Sequence, residues 1–316
     1  MWVWAVIWLR WYLVDYLNLR CEHIVRSSSI SVMKGVDSQI VLDRMVSTKL
    51  SNLDNMGTQI ALFCDANGRV EDIARLMKID EQILIISSPE YSSKIRGMIV
   101  SGAGWDEDCS LLNGDDAIAH ITLVCKDEID PLSHFGLVNF DLLPDKVVEN
   151  EDVLFSKEKI GGANVFEILL PIVKIDKIMS KLNSMGSEKI GEERWEFLRI
   201  GLGQSDIQDA RGNLPNESGL GELVSLDKGC YPGQEIHARV DSRGRLTKQI
   251  VRIVSNSPIE LGAHYVEDVG KINLTSSQYD GSVNLSLGIS PIFESSKIHS
   301  KLSNGAPIKI EKINDS

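Results

Sequence analysis

The eight residues Lys228-Gly229-Cys230-Tyr231-Pro232-Gly233-Gln234-Glu235 constrain this chain more than any other stretch. Gly229 and Gly233 permit backbone angles and close approaches that other residues resist. Pro232-Gly233 suits a turn with positive φ at its second central residue. The window therefore reads as a shaped loop that presents Lys228, Cys230, Tyr231, Gln234 and Glu235. An ammonium two residues from a thiol favours the thiolate, which is the better nucleophile and metal ligand. Turn chemistry alone would read the same window as a tight turn around a small packed thiol.

The chain has 316 residues, enough for two or three domains with sizeable cores. Its net charge of −12 repels nucleic acid and anionic membrane as a whole, so no stable nucleic-acid binding is expected. The five cysteines are odd in number and form no CxxC pair. They indicate neither a zinc site nor a disulfide framework, and reduced thiols in a cytoplasmic protein are the simplest assignment. Residues 1–28 crowd Trp2, Trp4, Trp8 and Trp11 into a short apolar run that meets Arg10, Asp15 and Arg20. The run is too short and too interrupted to span a membrane. It also lacks the basic start and small-residue cleavage site of a signal peptide. Residues 1–29 are therefore set apart as an extension outside the fold, and an over-long translation start is the expected cause.

From Ile30 the pattern is regular. Strands are expected at 30–33, 58–64, 70–77 and 83–86, with Asp65-Ala66-Asn67-Gly68 as a hairpin turn. Asp37 or Ser38 caps a helix with Val41, Leu42, Met45, Val46 and Leu50 on one stripe, and Ser88-Pro89 opens another. A strand at 117–124, another at 166–170, and helices bearing Ile172, Ile175, Met179, Leu182 and then Ile190, Trp195, Leu198, Leu202 follow. Ser187 is the expected cap of the last. Residues 126–163 read as acidic and irregular. Short alternating strands after Leu246 suggest a small barrel or sandwich. The class is α+β.

The window 228–235 resembles the Lys-Gly-Cys-aromatic-x-Gly-Gln-Glu signature of the YgfZ-type folate-binding proteins. These are relatives of the aminomethyltransferases of glycine cleavage. Gly57 to Ile73 resembles the N-terminal domain that the two groups share. Pro215-Asn216-Glu217-Ser218-Gly219-Leu220 resembles the Pro-x-Glu-x-x-Leu stretch of the transferases, and Arg239 with Arg243-Gly244 resembles the tail of the YgfZ signature. The resemblance implies a three-lobed α+β fold, with residues 30–245 forming two lobes and residues 246–316 a C-terminal β-barrel. It implies tetrahydrofolate, or a one-carbon-substituted reduced folate, bound where the lobes meet.

Glu217 matches the glutamate that binds the pterin, whose adjacent N–H and amino donors suit one carboxylate. Glu71-Asp72 matches an acidic pair near the folate nitrogens, and either Glu71 or Asp72 could be the matching carboxylate; Asp72 shares a strand face with Val70, Ala74 and Leu76, where a carboxylate is costly unless it is paired or poised for use. Cys230, Asp72 and Lys228 are the expected catalytic residues. Tyr231, Gln234, Glu235, Arg239 and Arg243 join Glu217 as expected folate contacts; no metal site is expected. The basic strip His237, Arg239, Arg243, Arg245, Lys248 and Arg252 suits the glutamate tail of folate or a phosphate. The implied function is iron–sulfur cluster assembly or repair, and through it tRNA modification, with iron–sulfur assembly or client proteins as partners. Whether the protein is an enzyme is left open. The alternatives are a folate-dependent aminomethyltransferase-like one-carbon transferase, and a non-catalytic scaffold that binds a protein partner.

Overall fold

A computed structural model describes residues 17–138, 140–244 and 246–313. Side-chain alternation sorts them into three sheets. The central sheet runs β11 (Glu188–Lys189), β1 (Cys21–Arg26), β7 (Ile118–Lys126), β10 (Ala163–Pro171), β9 (Val153–Ile160), β8 (Val147–Asn150). The first-lobe sheet runs β3 (Gly57–Cys64), β4 (Val70–Ile79), β5 (Gln82–Ser87), β2 (Ser29–Lys34), β6 (Ser110–Asn113). The third runs β13 (Gly262–Val266), β14 (Gly270–Tyr279), β15 (Asn284–Pro291), β12 (Lys248–Ser255), β17 (Pro307–Lys312), β16 (Lys297–Lys301). A bridge between Val266 and Leu302 joins its two ends, so the sheet curls into a small barrel.

Helices cover these sheets. Helix α1 (Ser38–Asp43) and α2 (Ser92–Gly102) bury Val41, Leu42, Ile95 and Ile99 against Ala74, Leu76, Ile83 and Ile85 of the first lobe. Helix α3 (Ile175–Ser184) packs Ile178 and Leu182 on one face of the central sheet, against Ile121, Leu123 and Ile168. Helix α4 (Glu192–Leu202) lies on the other face and joins Ile24, Val124 and Val165 to Leu285 and Leu287 of the barrel. The short α5 (Ile207–Ala210) and then α6 (Gln234–Arg243) lead into the barrel. A further apolar layer, with Ile30, Met77 and Ile86 facing Val147 and Leu169, joins the first-lobe sheet to the central one. This is the three-lobed arrangement with a C-terminal barrel.

Four expectations are corrected. Residues 17–29 do not stand outside the fold: Leu17 and Leu19 are buried in the core that α4 shares with the barrel, and β1 lies between β7 and β11. The four tryptophans before residue 12 fall outside the described residues. Cys21 and Cys125 sit opposite each other in the β1–β7 ladder and form a disulfide, so not every thiol is reduced. An odd count and a separation of 104 residues hid that pair. Residues 126–163 are not irregular, because β8 and β9 complete the central sheet there. Ser88 and Ser187 cap no helix. The Ser88 hydroxyl binds Asp72 at 2.6 Å, and that of Ser187 lies 2.8 Å from His23 Nδ1.

Candidate functional site

The signature loop is moulded on the first lobe. Gly233 adopts φ +84°, where a β-carbon would meet Gly68 Cα at 2.4 Å and the Asp65 carbonyl oxygen at 2.7 Å. Gly68 sits at φ +73° in the β3–β4 turn, so two glycines touch backbone to backbone. Gly229 meets no such demand, since a side chain there would point into open space. His237, one turn into α6, locks the contact: Nε2 donates to the Gly68 carbonyl at 2.8 Å. That leaves Nδ1 as acceptor for the Tyr231 hydroxyl at 3.2 Å. Burial holds the His237 pKa below its ordinary value, consistent with a neutral ring, and pushes Tyr231 up to about 12.

Lys228 is a second anchor. Its ammonium, almost wholly buried, donates to the carbonyls of Val46 at 3.0 Å, Thr48 at 2.8 Å and Asp43 at 2.5 Å. It also lies 3.0 Å from the Asp43 carboxylate. It therefore satisfies backbone groups left open where α1 ends, where the helix dipole also favours a cation. The hydrogen bonds and the ion pair of this ammonium go to residues 43–48. Cys230 is exposed at the loop surface. Tyr231 is buried, and Gln234 donates to the Lys228 carbonyl at 3.3 Å. Glu235 and Arg239 form an exposed ion pair on α6, while Arg243 is exposed in its last turn. Arg252 is no part of a free basic strip, since it binds Glu311 at 2.6 Å and the Gly201 carbonyl. Arg245 lies outside the described residues.

Glu217 sits in a short 3₁₀ turn (Pro215–Ser218) at the foot of the barrel. It is 7% exposed, yet among the described residues its oxygens have only a 3.3 Å contact from the Leu214 amide and a 3.5 Å ion pair with Lys248. A buried carboxylate held this loosely retains acceptor capacity.

The acidic pair of β4 divides. Asp72 points into the first lobe with Ala74 and Leu76, and it is fully enclosed. It accepts from the Ser88 hydroxyl and from the amides of Ser88 and Ile73. Burial pushes its pKa up to about 6 against these bonds, and Asp206 adds to the rise. Asp72 therefore has no surface to offer a ligand. Glu71 is the extra residue of a bulge in the β3–β4 ladder and forms ion pairs with Arg211 at 3.0 Å and Lys94 at 2.7 Å.

Two buried networks escaped the sequence analysis. Arg199 of α4, buried against its own charge cost, is held ionised by Asp209 at 2.7 Å and by Glu196, and it donates to Ser276 of the barrel at 2.7 Å. On the central sheet, His120, Thr122 and Glu167 form a polar stripe between two apolar layers. An arginine or a histidine alone in a sequence signals neither arrangement. Among the described residues, no three His, Cys, Asp or Glu side chains cluster so as to hold a metal ion, and no helix is long and apolar enough to cross a membrane.

No protein-family model matches the chain. It is 22% identical over 263 residues to an aminomethyltransferase of Caldanaerobacter subterraneus subsp. tengcongensis, covering 78% of this chain and 70% of that one. It is 23% identical over 249 residues to the tRNA-modifying protein YgfZ of Vibrio atlanticus, covering 76% and 71%. A putative chloroplastic transferase of Arabidopsis thaliana is 30% identical over 116 residues, but the match spans 35% of this chain and only 27% of that protein. The fold superposes on the glycine cleavage system aminomethyltransferase T of Bartonella henselae with a TM-score of 0.79 and 16% identity, over 95% of this chain and 88% of that one. The fold is the three-lobed one of the aminomethyltransferases, and the sequence likenesses to both groups support a place in the superfamily that unites them with YgfZ.

Proposed function

We propose that this protein binds a reduced folate where its lobes meet, with Glu217 on the pterin. We further propose that it acts in the cytoplasm in iron–sulfur cluster assembly or repair, and through it in tRNA modification. The observation that carries the folate proposal is Glu217 itself: buried, loosely held, and free to accept two adjacent donors. The intact signature loop supports the YgfZ-like role, since it leaves Cys230 exposed on a rigid mount. One thiolate cannot hold a cluster alone, so the cluster is cargo shared with an assembly or client protein. Exposed Arg243, with Arg239 exchanging its surface pair with Glu235, would take the anionic glutamate tail.

A second proposal, one-carbon transfer of the aminomethyltransferase type, is favoured by the fold match and by Glu71. That carboxylate, unlike the fully enclosed Asp72, is partly exposed, paired with Lys94 and Arg211. Calorimetric titration with tetrahydrofolate and its 5-formyl and 5,10-methylene forms tests the shared premise. Saturable binding of one of them is expected, and absence of binding by all three overturns it.

A further inference from the structure

Three residues from distant parts of the sequence meet on the central sheet, on the face that carries α4 and the first lobe. His120 Nε2 lies 2.8 Å from Glu167 Oε2, and His120 Nδ1 lies 2.8 Å from Ser28 Oγ. The Thr122 hydroxyl donates to the same Glu167 oxygen at 2.7 Å. An ionised carboxylate only accepts, so in the neutral imidazole Nε2 carries the proton and Nδ1 the lone pair. The Ser28 hydroxyl then donates to Nδ1. This is a hydroxyl held against a base whose tautomer a buried carboxylate sets, the arrangement that activates a serine. Burial alone would raise the Glu167 pKa. The bond and the charge of a protonated His120 oppose this most, then the charge of Arg75 and the bond from Thr122, and together they lower it.

The surroundings add two features. Arg26 stands directly opposite His120 in the β1–β7 ladder, so both side chains lie on one face. Its Nη1 is buried without a hydrogen-bond partner among the described residues, 3.6 Å from Glu192; Nη2 lies 3.8 Å from Asp206, and the guanidinium stands 4.8 Å over the Trp195 ring. A buried donor left unpaired costs about 1–3 kcal/mol, which an oxyanion would recover. On the other side, Leu169 of β10 faces His120, so the flank there is apolar. Ser28 itself is partly exposed.

We propose that Ser28, His120 and Glu167 form a hydrolytic relay for uncharged acyl groups carried on esters or activated amides. Ser28 Oγ bonds to the acyl carbon as its proton passes to His120 Nδ1, and the carbonyl electron pair moves to the oxygen, toward Arg26. Collapse breaks the bond to the leaving alcohol or amine, which takes the proton from Nδ1. Water repeats the sequence on the acyl-serine, releasing a carboxylic acid and restoring the hydroxyl. This activity does not depend on folate binding.

The test treats the full chain with a fluorophosphonate probe and maps the adduct by mass spectrometry. Labelling on Ser28 is expected, with Ser28→Ala unlabelled and His120→Gln slowed roughly a hundredfold or more. Hydrolysis of p-nitrophenyl acetate should fall in step. Thermal melts establish that each variant is folded. Ser28→Cys keeps a nucleophile of similar size, and its new thiol should react with iodoacetamide more slowly when His120→Gln is added. Absence of an adduct on Ser28 in the folded protein, or an adduct formed equally fast in His120→Gln, overturns the proposal. Tetrahydrofolate titration of Ser28→Ala reads the folate proposal separately.

Discussion

Single residues carry the sharpest tests. Removing one partner from a buried, charged hydrogen-bond pair costs a few kcal/mol, and about 1.4 kcal/mol is one decade. Glu217→Ala should therefore weaken tetrahydrofolate binding roughly tenfold or more in calorimetry; an unchanged affinity removes Glu217 from the site. Cys230 is exposed, whereas burial pushes the Cys64 thiol up to about 12 and raises that of Cys109. Iodoacetamide at neutral pH should label Cys230 first, and Cys230→Ala should impair maturation of an iron–sulfur client in cells while folate binding persists. A Cys230 that labels no faster than Cys64, and whose loss is harmless, would sink the iron–sulfur role.

Asp72 has its own signature. Its folded pKa of about 6 lies above the ordinary 3.8, so between these values the folded chain holds the proton that the unfolded chain has lost. Stability should therefore fall as pH rises from about 4 to 6, by an amount on the order of 2–3 kcal/mol. Urea midpoints across that range should show the slope in the natural protein and lose it in Asp72→Asn. The alternation of β4 was legible only in part: Asp72 shares a face with buried Ala74 and Leu76, but a bulge in the β3–β4 ladder turns Val70 to the opposite face, among Leu62, Cys64 and Ile207. Which way that face turns was not, because the helices that cover it decide the matter.

At the level of elements, Lys228 is the member whose loss should be felt most. Lys228→Met keeps the bulk of the side chain but strips three carbonyls and the Asp43 carboxylate of their shared donor. A loss of about 1–3 kcal/mol is expected, read as a lower urea midpoint. An unshifted midpoint would show that water replaces the ammonium. The same contact explains a misjudged boundary. The stripe Val41, Leu42, Val46, Leu50 is buried as its spacing predicts, but α1 ends at Asp43, where Lys228 meets the carbonyls beyond it. Periodicity reports the buried side of a segment and not where its backbone leaves the helix. Strands β8 and β9 were missed for a different reason. Glu149, Glu151, Asp152 and Glu158 interrupt a weak alternation of Val147, Val153 and Phe155, and only pairing with β10 makes the strand favourable.

At the level of the molecule, the barrel and the first lobe were legible from alternation and turn residues, whereas the N-terminal strand was not. Composition set it apart, yet burial joins it to the rest. A chain beginning at Ser27 lacks β1 from the interior of the central sheet, with Leu17, Leu19 and Ile24 from the core. It should lose its cooperative thermal transition by circular dichroism; retention of that transition would show that the sheet closes without β1. The contact between Gly68 and Gly233 has a bearing on how such a protein can be altered. The tip of a two-stranded hairpin is ordinarily where a chain accepts an added tag or a grafted peptide. Here the tip at 65–68 is the seat on which a segment some 165 residues later takes its shape. An insertion there would unseat Cys230 without touching it, so residues 280–282, an exposed turn in the barrel, are the safer place to carry an added sequence.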